Sequence, residues 1–221
     1  KRVLFFGKEL AKSCQIPISM RNIRMYAFLL SVLIAASCKK DNMFLNKSGT
    51  SMESTGINVA AALTSSKIYY VSPSGNDSSN GLSSASAWKT IAKVNATELS
   101  PGDLVLFQGG QTFNGRLYIR NSGIAGFNIK FSSYGTGRAT INGGSGTAVY
   151  AYNCSYISID SLIVAGSWNA TTQLGNDAYG ILFYNDLAGN VKLGEVAVNR
   201  CEVKGFAKSG IGILSWPADG S

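Results

Sequence analysis

The sequence predicts an all-β fold: a right-handed parallel β-helix of three-strand coils, with a short capping helix at its N-terminal end. Three observations predict it. First, residues 156–166 are matched 39 residues later by 195–205. In both copies apolar residues (Ile157, Ile159, Leu162, Val164; then Val196, Val198, Cys201, Val203) alternate with others, shift phase at a two-residue bend, and lead to a glycine. Such a pattern describes a strand that turns a corner and continues, and neither bend carries the Asn-Gly or Asp-Gly of a hairpin. Second, a further apolar run recurs near Val149, Ile181 and Ile211, at separations of 32 and 30 residues. Repetition on this scale marks a stacked architecture in which each turn buries its inward side chains against the turns above and below. Third, the segments 167–178 and 185–194 are rich in Asn, Gly, Thr and Asp and read as loops between strands; in solenoids such insertions gather on the face that binds ligand. A β-sandwich of short strands is the alternative.

Taken in chain order, residues 1–19 begin with Lys and read as a translation artefact upstream of a true start at Met20. Residues 20–37 read as a signal peptide: Arg21 and Arg24 precede a twelve-residue apolar run, Met25–Ala36. That run is too short to span a bilayer and suits a signal core. Ser37-Cys38 resembles the end of a bacterial lipobox, with Ala35 where Leu is usual. The resemblance implies lipidation at Cys38 and an exported protein held on the outer membrane or cell surface; cleavage near Ala36 would instead leave it periplasmic or secreted. Residues 38–66, Ser/Thr/Asn-rich and without periodicity, read as a flexible tether.

Residues 67–221 read as the N-terminal part of the β-helix domain. Ile68–Ser72 is a strand and 73–81 a turn-rich loop. Trp88, Ile91, Ala92 and Leu99 mark a short amphipathic helix, capped by Ser86, that closes the end of the solenoid, with Trp88 packed inside the cap. Pro101-Gly102-Asp103 turns the chain into the strand Leu104–Phe107, and Ile129–Phe131 and Thr140–Ile141 begin the coils. Ser221 falls inside a coil or loop with no closing cap, so a longer β-helix, truncated here at the C-terminus, is expected.

The net charge of +8 is concentrated in the leader, where residues 1–37 hold six Lys/Arg against one acid; the rest holds fourteen against eleven, with no dense basic run. Nucleic acid is therefore not an expected partner. The chain has no His, which excludes a His-dependent triad or a His metal site within it. Cys14, Cys38, Cys154 and Cys201 match no zinc spacing. Cys201 takes the inward place of Leu162, and a Cys154–Cys201 disulfide would join non-equivalent places of the repeat.

The ordered motifs Tyr-Tyr-Val-Ser-x-x-Gly-Asn-Asp (69–77), Trp-Lys-Thr-Ile (88–91), Pro-Gly-Asp-Leu-Val-Leu-Phe (101–107) and Gly-Gly-x-Thr-Phe (109–113) resemble the start of secreted β-helix proteins of the pectate-lyase-like superfamily. The resemblance covers Lys67 to Ser221. It implies a polysaccharide partner and activity as a polysaccharide lyase or glycoside hydrolase on an extracellular glycan, with calcium as a lyase cofactor; no cofactor is identifiable from the residues themselves. A non-catalytic surface module binding glycan or acting as an adhesin, and a ligand-free spacer, are the alternatives. A monomer is expected.

Among the coil acids, Asp160 matches Asn199 and reads as a turn residue, while Glu202 matches the outward Ile163 and reads as a solvated charge. Asp177 and Asp186 flank the Ile181–Phe183 strand and are the candidate catalytic acids. A 30-residue shift puts Lys208 by the turn above Asp177, as an ion-pair partner or base, and Trp216 above Asp186, as a sugar platform or a packed aromatic. No metal site is read.

Overall fold

The computed structural model describes residues 66–189 and 191–216. The signal peptide, the lipidation site Cys38 and the tether up to residue 65 lie outside the described residues, as do residues 217–221. Thirteen strands follow one another: β1 (Ile68–Val71), β2 (Leu104–Gln108), β3 (Thr112–Asn114), β4 (Leu117–Ile119), β5 (Ile129–Tyr134), β6 (Ala139–Asn142), β7 (Val149–Tyr152), β8 (Ile157–Asp160), β9 (Leu162–Ala165), β10 (Tyr179–Asn185), β11 (Val196–Asn199), β12 (Glu202–Lys204) and β13 (Ser209–Ser215). Every pairing between them is parallel. They form three sheets: β1-β2-β5-β8-β11, β3-β6-β9-β12 and β4-β7-β10-β13. Each of the four coils that start at β2, β5, β8 and β11 therefore contributes one strand to each sheet in turn, with β1 adding a fifth strand to the first sheet, and with the right-handed sense of parallel crossovers. This is the parallel β-helix that the repeat predicts. The 39-residue match is a true register: Ile157 pairs with Val196, Ile159 with Val198 and Val164 with Val203.

The core is a set of inward columns. Val105, Phe131, Ile159 and Val198 stack in the first sheet; Phe113, Ile141, Val164 and Val203 in the second; Leu117, Val149, Ile181 and Ile211 in the third. Val105, Ile141, Val149, Ile159, Val164 and Ile181 have no exposed surface, and burying each such side chain contributes about 1.5–3 kcal/mol. Cys201 packs against this core as expected, and both Cys154 and Cys201 are free thiols. Burial pushes the Cys154 thiol up to about 12.

Corners need special backbone. Ser161 and Arg200, at the same place in the two copies, have φ of 53° and 52°, a left-handed conformation that turns the strand without a loop. The glycines closing each copy meet: a Cβ on Gly166 would run into the carbonyl oxygen of Gly205.

The cap differs from the sequence expectation. The helix α1 is only Ile91–Asn95, because Trp88 is extended and bridges to Val71, and the Thr90 hydroxyl caps the helix by accepting from Lys93 N at 3.1 Å. Ser86 closes a 3-10 turn, Ser84–Ser86, instead of capping α1. Ala92 is exposed; Ile91, Val94 and Leu99 are the buried positions. Trp88 is 3% exposed and stacks on Tyr69 at 4.5 Å. The two aspartates of the N-terminal motifs are clasps. Asp77 accepts from Lys89 N (2.7 Å), Thr90 N (3.0 Å) and the Thr90 hydroxyl (2.7 Å). Asp103 accepts from Lys67 N (2.7 Å) and Ser100 N (2.8 Å). Turn and strand-end amides without a ladder partner are satisfied by such acceptors.

Candidate functional site

The third sheet is bordered at both edges by the long loops. Residues 166–178 lead into β10 and 186–195 lead out of it. Asn176 fastens the first loop. Fully buried, it donates through Nδ2 to the carbonyls of Gly144 (2.7 Å) and Gly146 (2.8 Å), accepts from Ala178 N (2.7 Å), and takes Ala207 N on its own carbonyl (2.9 Å).

Between these loops the outward side of the sheet carries four tyrosines. Tyr118 pairs in register with Tyr150, and Tyr152 with Tyr184. The rings of Tyr118 and Tyr150 stack at 5.6 Å, those of Tyr152 and Tyr184 at 6.2 Å, and Tyr150 meets Tyr184 at 6.4 Å. Because ring faces largely meet ring faces, what the row turns outward is ring edges and phenol hydroxyls. Among the described residues the hydroxyls of Tyr118, Tyr150 and Tyr184 form no hydrogen bond. Burial and the neighbouring tyrosines raise the Tyr150 phenol above its ordinary value, and a phenol hydroxyl can both donate and accept.

Asp186 stands at one end of the row. Its carboxylate accepts from the Tyr152 hydroxyl (2.9 Å) and Asn153 Nδ2 (2.7 Å), while its backbone N–H donates to Asn153 Oδ1 (3.0 Å). The hydrogen bond to Asp186 raises the Tyr152 phenol. Arg116 and Arg120 stand at the other end, their guanidinium carbons 5.7 Å from the Tyr150 ring centre and 5.8 Å from that of Tyr118. Trp216 is 75% exposed, and its N–H donates to the carbonyl of Asn185 (2.8 Å), which puts it in register with Asp186.

The candidate acids and base separate. Asp177 is exposed and lies before β10, Asp186 after it; the strand alone puts about 20 Å between them. Two-carboxylate glycoside chemistry needs about 5–10 Å, so they are not an acid/base pair. Lys208 does not pair with Asp177: its ammonium sits 4.9 Å from the Tyr179 ring centre, a cation–π contact at the edge of the same sheet. No three His, Cys, Asp or Glu side chains converge among the described residues.

Two other outward charges differ from the sequence expectation. Glu202 is paired with Arg138 and Lys204, each at 2.8 Å. Asp160 is a buried hub across three coils, its side chain 3% exposed. It accepts from Arg200 Nε (2.9 Å) and Nη2, Lys130 Nζ (2.8 Å) and the Ser161 hydroxyl (3.0 Å). The Arg200 guanidinium above all, with Lys130 and Ser161, holds its carboxyl well below the usual carboxylate range. An acid with a base on adjacent coils could suggest lyase chemistry, but this carboxylate is saturated by donors and sealed from solvent; it ties coils together. A cavity of about 420 Å³ opens among Cys154, Phe183, Leu193, Val196 and Ile213. Its walls mix inward positions with the outward Tyr184 and the loop residues Val191, Lys192 and Gly194, so it lies where the second long loop meets the last coils.

The described chain is thus a parallel β-helix with one face of tyrosines flanked by an acid and two arginines. No family model matches it. A lacto-N-biosidase of Bifidobacterium longum subsp. longum is 40% identical over 85 residues, which are 36% of this chain and 5% of that protein. The selenomethionine-derivative crystal structure of a GH136 lacto-N-biosidase from Eubacterium ramulus superposes with a TM-score of 0.58 at 21% identity, over 72% of this chain and 32% of that one. Its native structure gives 0.56 at 20% identity, over 67% and 30%. These likenesses agree with the β-helix fold. This chain spans only a small part of each relative.

Proposed function

We propose that this chain belongs to a carbohydrate-active protein of the glycoside hydrolase class and that the tyrosine face of the third sheet contacts its glycan. The observation that carries the reading is the row Tyr118–Tyr150–Tyr152–Tyr184 with Asp186 at its end: free phenol hydroxyls and a carboxylate match sugar hydroxyls. The local identity to a lacto-N-biosidase supports hydrolysis over elimination. The leader supports export, with Cys38 as the lipid attachment point at a membrane surface and the tether as spacer.

A second reading, a glycan-binding module without turnover, is favoured by the separation of Asp177 from Asp186. A glycan panel tests both. New reducing ends without ultraviolet-absorbing products mean hydrolysis, and absorbing unsaturated products mean a lyase. Retention without turnover means binding alone. In every positive case Tyr150→Ala and Tyr184→Ala should weaken retention at least about tenfold, or about 1.4 kcal/mol. Unchanged retention in both variants would remove the tyrosine face from the reading.

A further inference from the structure

The two ends of the tyrosine row are chemically unlike. At the Asp186 end the carboxylate is engaged by Tyr152 and Asn153. At the other end Arg116 donates only through Nε, to the Thr147 carbonyl at 3.1 Å, and neither of its terminal nitrogens has a hydrogen-bond partner among the described residues. The side chain is nevertheless held, by that bond and by lying over the Tyr150 ring. Arg120 is more committed: Nη2 donates to the Asn95 carbonyl (2.9 Å), and Glu98 stands 4.0 Å away with its side chain 80% exposed. The Arg116 fork is therefore an unspent pair of donors, held by its Nε bond over the Tyr150 ring. A planar fork of this kind matches the two oxygens of a carboxylate or the oxygens of a sulfate, which a neutral sugar does not offer.

We propose that the Tyr118–Tyr150 end of this face is a subsite for a negatively charged sugar, a uronate or a sulfated hexose within a longer glycan, anchored by Arg116 with Arg120 as the second cation. The proposal rests on the glycan reading above and names the substrate class for that face. Glu98 offsets Arg120, and Asp186 reaches Tyr150 electrostatically although Tyr152 and Asn153 engage its carboxylate, so the unopposed charge at this end is that of Arg116.

The test is isothermal titration of the purified protein with three oligosaccharides of equal length: a neutral hexose oligomer, its uronate counterpart and its sulfated counterpart. At least one anionic oligomer should bind at least about tenfold more tightly than the neutral one, about 1.4 kcal/mol. Which of them does so separates carboxylate from sulfate. The preference should shrink between about 0.05 and 0.5 M salt as the charges are screened. Arg116→Gln should bring the ratio of affinities close to one, and Arg116→Lys should restore part of it; melting curves confirm that both variants fold. Equal binding of all three oligomers, or a preference that survives Arg116→Gln, would overturn the proposal while leaving the glycan reading standing. Failure to bind any of the three, when the glycan panel gives retention, would overturn the proposal alone; failure in both assays would remove both.

Discussion

Asp160 offers the sharpest test of how the coils are held together. Its carboxylate reaches Lys130 on β5 and Arg200 beyond β11, so one side chain links three successive coils. Asp160→Asn keeps the shape but removes the charge, and its amide group would face Lys130 and Arg200 donors with one acceptor oxygen in place of two. Both cations are partly solvated, with side chains 41% and 73% exposed, which discounts their share. The buried acceptor is not discounted, and a net loss of about 2–3 kcal/mol follows. For a domain of this size that lowers the melting temperature by about 4–12 °C at pH 7. The pH dependence gives a second reading. The folded carboxyl lies below its unfolded value, so the unfolded chain binds the proton first. The stabilisation is full above about pH 4, the unfolded value, and is lost as pH falls through the lower folded value. The variant should therefore lose up to about 1.4 kcal/mol per pH unit of acid sensitivity below that point. Thermal melts of both proteins from neutral to acid pH measure this. A variant melting with the wild type at pH 7, or keeping the full acid slope, would show that the hub does not stabilise the coils.

Three further outcomes are expected. Ile181→Ala, at a position with no exposure between Val149 and Ile211, should cost about 2–5 kcal/mol in denaturant unfolding. Asn176→Asp turns a donor facing two carbonyls into a carboxylate facing them and should cost about 3 kcal/mol or more; Asn176→Ser, which keeps one donor, should cost less, and equal melting of the two would refute the role given to Nδ2. Asp186→Asn should move the Tyr152 phenol down towards its ordinary titration range, read by ultraviolet titration against a Tyr152→Phe control.

The inward columns were legible in the sequence because one physical rule writes them: a side chain sealed between coils must be apolar, so Ile157, Leu162 and Val164 find Val196, Cys201 and Val203 at a fixed offset. The outward tyrosines obey the same spacing, since Tyr118 and Tyr150, like Tyr152 and Tyr184, are 32 residues apart. That signal could have been found by applying the offset to the polar face as well. Asp160 was less accessible. Lys130 and Arg200 stand 30 before it and 40 after it, and only the unequal coil lengths bring all three together. Asn176 reads as one more turn residue in an Asn/Gly-rich loop, and nothing local announces that it is buried. The helix was overextended because Trp88 continues the apolar spacing while its backbone is already committed to Val71.

The first long loop is pinned where it leaves and rejoins the solenoid, by Ser167 and Trp168 N–H groups on the carbonyls of Gly144 and Gly205 and by Asn176, while the turn between Asn169 and Leu174 is exposed. The length of that turn is consequently independent of the alignment of the coils: residues added between Ala170 and Gln173 should leave the rungs in place. Natural divergence and deliberate grafting can both rewrite the border of the tyrosine face without disturbing the scaffold beneath.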